Sequence, residues 1–225
     1  MIIAVSMRVV SHTTYPEMRD ALSHDWVRIL NGLGVIPVPV PNTLVNPSAY
    51  LQAIKAGGLI LTGGEDIGPL PGESGDQDPP ALRDRTERSL FESAVSAGLP
   101  VFGVCRGMQM INLRFGGSLS RQLSRECPPE ETHTVTRHEV DIVEPTLRRL
   151  AGMERVVTNS YHAQGVTLSR LAPSLRPFAL TRGGVVEGLR HPDLPIWGVQ
   201  WHPERENPAA ALDRVLLNEW LARCG

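Results

Sequence analysis

The chain has 225 residues, of which 41% are hydrophobic and 20% charged, with a formal net charge of -2. That length suits one large α/β domain or two small ones, with enough apolar material for a sizeable core. The near-neutral charge gives no reason to expect nucleic acid or an anionic membrane surface as a partner, and no apolar run approaches the roughly 18 residues that cross a bilayer.

Met1-Ile2-Ile3-Ala4-Val5 is apolar but short, without a basic n-region or a small-residue cleavage site, so it reads as a first strand and the protein as cytoplasmic. Residues 18–33 read as a helix ended by Gly34, and 35–40 as a strand whose prolines suit a sheet edge. Residues 58–61 form a buried strand running into Thr62-Gly63-Gly64, and Gly, Pro, Asp and Ser make 67–82 an exposed loop beside it. A helix over 87–97, a strand over 100–104 and a helix over 106–115 follow. This alternation predicts an α/β fold with a mostly parallel sheet and helices on both faces. From 128 to 188 the pattern changes to short alternating strands (139–143, 155–157, 176–180, 185–188), an antiparallel extension of the sheet. A core strand over 196–201 and a helix over 209–223 close what reads as a single domain, 1–225.

Cys105, Cys127 and Cys224 are odd in number and widely spaced, with no C-x-x-C pair, so neither a disulfide framework nor a zinc site is expected. Cys105 sits in Gly103-Val104-Cys105-Arg106-Gly107, a G-x-C-x-G elbow between a buried strand and a helix. Such a turn lifts the thiol off the sheet edge, uses glycines where chain segments approach, and sets the sulfur at a helix N-terminus that favours thiolate. Taken alone, Cys105 reads equally well as a buried structural cysteine.

Ile196 to Glu204 is an apolar strand ending in His202-Pro203-Glu204. Residues two apart in extended chain point the same way, so Glu204 can hold the His202 imidazole while its other nitrogen faces a thiol. Strand carboxyl ends are where sites gather in open α/β sheets, and Cys105 falls there too. Together the signals favour a Cys–His–Glu triad over an exposed strand-end histidine. Gly64, after a third core strand, and Arg106, after the cysteine, offer backbone N–H groups for an oxyanion, although a Gly-Gly pair also makes a plain turn.

Thr62-Gly63-Gly64-Glu65-Asp66-Ile67, the run from Pro100 to Asn112 around Cys105, Asn159-Ser160-Tyr161-His162, and Gly198-Val199-Gln200-Trp201-His202-Pro203-Glu204 resemble the class I glutamine amidotransferase-like γ-glutamyl hydrolases, in the γ-glutamyl-γ-aminobutyrate hydrolase branch. The resemblance spans nearly the whole chain. It implies a flavodoxin-like fold and hydrolysis of a γ-glutamyl amide through a glutamyl thioester, with no cofactor and no metal. It makes Cys105 the nucleophile, His202 the base, Glu204 its orienter, and Gly64 and Arg106 the oxyanion donors. Gln109, Ser160 and His162 correspond to residues of the glutamyl pocket, and Asp66 to the acidic position of a G-G-x-D motif. Arg83, Asp84 and Glu87 form an R-D-x-x-E pattern that reads as structural.

The segment between Asp66 and Arg83 is shorter than usual in that branch, and with the 15–23 segment it is more similar to hydrolases of γ-glutamyl-CDP-amidate in capsular-polysaccharide phosphoramidate pathways. The partner implied is thus a small γ-glutamyl substrate, with a homodimer left open. A glutaminase subunit feeding ammonia to a separate synthase is the alternative. The chain has no P-loop motif for a complete ATP-dependent amidotransferase. A non-catalytic relative that keeps the fold is a third reading, disfavoured by the intact Cys–His–Glu set.

Overall fold

Apolar β-branched runs and amphipathic stretches alternate along the chain, and each becomes an element in the computed structural model, described over residues 1–68, 79–128 and 131–225. The first half comprises β1 (Ile2–Ser6), β2 (Arg8–Ser11), β3 (Met18–Ala21), α1 (His24–Gly32), β4 (Ile36–Val40), α2 (Pro47–Ala53), β5 (Gly58–Leu61), α3 (Pro79–Ser96), β6 (Val101–Val104) and α4 (Arg106–Arg114). The second comprises β7 (Thr136–Ile142), α5 (Pro145–Ala151), β8 (Arg155–Ser160), β9 (Arg176–Leu180), β10 (Val186–Arg190), β11 (Ile196–Val199) and α6 (Ala210–Leu221). Most of the loop expected over 67–82 lies outside the described residues.

Among the described residues nine strands pair in the order β4-β1-β5-β6-β11-β10-β9-β7-β8. β4, β1, β5, β6 and β11 are parallel, which is the flavodoxin-like order. β10, β9, β7 and β8 continue the sheet with antiparallel pairings, as the change in strand pattern predicted. Proline-bearing β4 is an edge, pairing with β1 alone.

Side-chain alternation explains the layers. In β5, Ile60 enters one apolar cluster and Leu59 and Leu61 the other. Leu30 of α1, Leu147 of α5 and Trp220 of α6 cover the Ile60 face, while Leu51 of α2, Leu90 of α3 and Met108 of α4 cover the opposite one. Each such side chain, fully buried, contributes about 1.5–3 kcal/mol relative to exposure. No helix among the described residues is long and apolar enough to cross a membrane.

The helix expected over 18–33 is a correction. Met18–Ala21 is a strand paired antiparallel with β2, Val9 opposite Asp20 and Val10 opposite Arg19. α1 starts only after Ser23, whose hydroxyl accepts the Asp25 N–H. A side-chain cap satisfies a helix-end donor and sets the boundary more strongly than continuing periodicity does.

Candidate active site

β6 ends at Val104 and α4 begins at Arg106, so the reversal falls on Cys105, at φ 52° and ψ −105°. Such a backbone costs a non-glycine residue about 1–3 kcal/mol and persists only where its surroundings enforce it. Here the Cys105 N–H donates to the Val199 carbonyl at 2.7 Å, and the Gln109 N–H to the Cys105 carbonyl at 3.1 Å. The elbow also presses against β5: a Cβ on Gly107 would lie 2.1 Å from the Leu61 carbonyl oxygen.

β5, β6 and β11 are neighbours, with Gly103 in register with both Leu61 and Gly198. Their carboxyl ends therefore deliver Gly63, Cys105 and His202 to one place. A Cβ on Gly63 would stand 2.6 Å from His202 Cε1 and 3.3 Å from Cys105 Cβ. His202 Nδ1 donates to Glu204 Oε1 at 2.7 Å, and both side chains are buried. That bond leaves Nε2 as the free acceptor. β11 stops at Val199, however, so the expected strand to 201 ends early; His202 and Glu204 meet through the turn at Pro203 rather than by strand alternation.

Burial dominates the thiol. Cys105 is 4% exposed. Its pKa is raised by burial and then by the Glu204 charge, against the pull of His162 and the Arg106 backbone N–H. The thiolate preference expected at a helix N-terminus is thus outweighed by desolvation.

Beneath the glycine pair lies a buried ionic bed. Arg83 donates to the carbonyls of Thr62 at 2.9 Å and Gly63 at 3.1 Å, and Arg8 to Gly63 at 3.3 Å. A trans peptide points its C=O and N–H in opposite directions, so the Gly64 N–H is turned away from these arginines. Glu87 accepts from Ser6 at 2.7 Å, from Arg83 at 3.0 Å and from Arg106, which also pairs with Asp84. Burial, then the Arg83 charge, brings Arg106 down to about 9. The R-D-x-x-E residues do tie α3 to β5 and α4.

On the antiparallel side, Gln109 donates to the Gln164 carbonyl at 3.1 Å and to Gln200 Oε1 at 3.2 Å. His162 Nδ1 donates to the same Gln164 carbonyl at 2.9 Å, and Ser160 to the His133 carbonyl at 2.6 Å. Asp66 is exposed. Tyr15 and Arg19 are also exposed, and Arg19 bonds the Tyr15 hydroxyl at 2.7 Å and Glu17 at 2.5 Å. The sequence reading gave no role to Asn159. Its Oδ1 accepts the His202 N–H at 2.8 Å and its Nδ2 donates to the His202 carbonyl at 2.9 Å. Tyr161 sets its ring edge-on to His202, centroids 5.7 Å apart, with Arg205 4.6 Å from the centre of the Tyr161 ring.

Residues 1–204 match the family model described as Peptidase C26. A γ-glutamyl-γ-aminobutyrate hydrolase of Escherichia coli O157:H7 is 32% identical over 234 residues, covering 96% of this chain and 89% of that one. A γ-glutamyl-CDP-amidate hydrolase of Campylobacter jejuni is 28% identical, covering 99% and 98%. Among solved structures, a glutamine amidotransferase from Thermotoga maritima superposes with a TM-score of 0.61 at 15% identity, over 98% of this chain and 83% of that one, and so shares the fold.

Proposed function

The chain belongs to the Peptidase C26 family and is a hydrolase, and from that premise we propose that it cleaves γ-glutamyl amides, with Cys105 as nucleophile, His202 as base and Glu204 as the carboxylate that orients the base. The observation that carries this reading is the convergence at Gly63, where a single carbon position would touch both the His202 ring and Cys105 Cβ.

Cys105 gives its thiol proton to His202 Nε2 as the sulfur bonds to the γ-carbonyl carbon. A thiol kept neutral by burial favours transfer at the moment of attack. The N–H groups of Gly64 and Arg106 stabilise the oxyanion. As the tetrahedral intermediate collapses, the C–N bond breaks, the amine leaves with the proton from His202, and a glutamyl thioester remains. Water then attacks the thioester carbonyl, passing a proton to His202. Release of glutamate returns that proton to the sulfur.

Gln109, Ser160 and His162 are assigned to the glutamyl half of the substrate, and Asp66 with residues 15–19 to the leaving group. The short 67–82 segment and the Arg19-bearing ribbon favour γ-glutamyl-CDP-amidate, a capsule precursor, over a simple γ-glutamyl amine. An arginine can engage phosphate, with Glu17 displaced from Arg19 as it does so. Glutamate release from γ-glutamyl-CDP-amidate and from γ-glutamyl-γ-aminobutyrate, by wild type and Cys105→Ala, tests both levels. Turnover of either substrate by wild type alone supports the hydrolase reading, and the better substrate identifies the leaving group. Turnover of neither, or equal turnover by Cys105→Ala, overturns it.

A further inference from the structure

Behind the glutamyl wall, three imidazoles close on one buried carboxylate. His133 Nδ1, His138 Nε2 and His162 Nε2 stand 3.7, 3.4 and 3.5 Å from Glu187 Oε1. Glu187 is 0% exposed, His133 5% and His162 4%. These separations exceed the ~2.7–2.9 Å of a charge-assisted hydrogen bond. All three nitrogens and both Glu187 oxygens are buried without a hydrogen-bond partner. Buried polar atoms are normally satisfied, and so many orphans facing one point call for an occupant.

The opposite side of each ring is already committed. His162 Nδ1–H donates to the Gln164 carbonyl at 2.9 Å, His133 Nε2–H to the Glu131 carboxylate at 3.2 Å, and His138 Nδ1–H to the Thr132 carbonyl at 3.3 Å. For His133 and His162 such bonds fix the tautomer and leave the inward nitrogen with a lone pair, the support that metal-binding histidines receive from carbonyls and carboxylates; His138 Nε2, 3.4 Å from a carboxylate oxygen, bonds it only with a proton of its own. Ligand atoms of His133, His162 and Glu187 all lie within 4.8 Å of one another. Metal–ligand bonds of 2.0–2.2 Å at tetrahedral angles set ligand atoms about 3.3–3.5 Å apart, close to the observed 3.5 and 3.7 Å from Glu187 to His162 and His133.

We propose that His133, His162 and Glu187 bind one divalent transition-metal ion of the zinc class, with His138 hydrogen-bonded to the coordinating carboxylate. Imidazole and carboxylate donors suit Zn²⁺, and three protein ligands leave a fourth position for water. An open cavity of about 330 Å³, lined by His133, His162 and Glu131, provides the entry. The ligands come from β10, the segment after β8 and the segment before β7, so no C-x-x-C spacing announces the site. An occupant would fasten that segment to the sheet. Through the Gln164 carbonyl, which His162 and Gln109 share, it would also stiffen the glutamyl wall.

The test measures metal directly and is independent of whether the protein hydrolyses γ-glutamyl amides. Chelator-treated full-length protein is titrated with Co²⁺ and Zn²⁺, following Co²⁺ absorption and bound metal per chain. One equivalent is expected, with a Co²⁺ spectrum of tetrahedral or five-coordinate intensity. His133→Gln and Glu187→Gln should weaken binding at least as much as the ~10- to 100-fold lost on removing an outer-shell partner. Circular dichroism checks the fold of each variant, and His133→Gln, beside the cavity, decides the matter if Glu187→Gln unfolds. Cys127, Glu131 and His133 form a rival ligand group, so Cys127→Ser should bind as wild type does. Absence of stoichiometric binding to wild type, unchanged affinity in folded His133→Gln, or loss of binding in Cys127→Ser would each overturn the proposal.

Discussion

Replacing Gly63 by alanine separates the catalytic geometry from the fold. The new Cβ would lie 2.6 Å from His202 Cε1, whereas ordinary contact begins at 3.4 Å. The imidazole must therefore retreat by about 0.8 Å, because carbon atoms prefer separations of about 3.5–4.0 Å. The second contact, 3.3 Å to Cys105 Cβ, is only slightly tight, so the displacement falls on His202, the proposed base. Misplacing a reacting group by about 1 Å costs ~100-fold in rate, or about 2.7 kcal/mol of barrier. Gly63→Ala should lose about that much in kcat for glutamate release while its melting temperature changes little, since the crowded atom belongs to a side chain beyond the carboxyl end of β11 and not to strand backbone. Gly107→Ala is the contrasting variant: its Cβ would meet the Leu61 carbonyl oxygen at 2.1 Å, and β5 backbone cannot yield without breaking sheet pairing, so stability should fall first. Measuring kcat and melting temperature of both variants in parallel decides the matter. Activity of Gly63→Ala within about threefold of wild type, a barrier change under ~1 kcal/mol, would refute the reasoning.

Three further outcomes are expected. Because burial raises the Cys105 pKa, inactivation by iodoacetamide should accelerate through pH 7–9, with the label mapping to Cys105; a rate already flat below pH 7 would instead indicate a preformed thiolate–imidazolium pair. Glu204→Gln should reduce kcat less than His202→Ala does, since the carboxylate orients the base without carrying the transferred proton; equal losses in steady-state assays would contradict that division of labour. Burial pushes Asp213 up to about 7, although Trp201 and Asn207 donate to it. The folded state thus holds a proton that the unfolded state releases near pH 4, so this group's stabilisation is lost as pH rises from about 4 to about 7. Asp213→Asn should flatten the fall in melting temperature across that window, and parallel curves would exclude Asp213 as its source.

Much of the fold is legible because β-strand burial is written directly into composition: 58–61 and 101–104 are apolar on both faces, as strands covered by helices on both sides must be. Caps carried the information that periodicity missed. Asn46-Pro47 and Glu144-Pro145 open α2 and α5, each with a side chain accepting from the first turn and a proline at its start, yet neither helix was anticipated. Cys105, His202 and Glu204 were readable as a candidate set because the elbow and the His-x-Glu pair are local in sequence. Asn159 was not, since its partner His202 lies 43 positions away. The His133–His162–Glu187 cluster escaped for the same reason: its members come from one strand and two loop segments, and no short spacing joins them.

The Asn159 clamp changes what the outermost strand of the sheet means. β8 ends the strand order, the position where pairing with one neighbour only makes fraying easiest. Yet its Asn159 replaces, with two hydrogen bonds, the regular backbone that His202 lost when β11 stopped at Val199. His202, the proposed base, is therefore held by an edge strand of the sheet. Each opening of the β7–β8 pair would free the His202 backbone as well, so the fraction of molecules with His202 aligned is capped by the closed population of that pair. Amide exchange in β8 and turnover should then respond together to temperature and denaturant, well before the parallel strands begin to open.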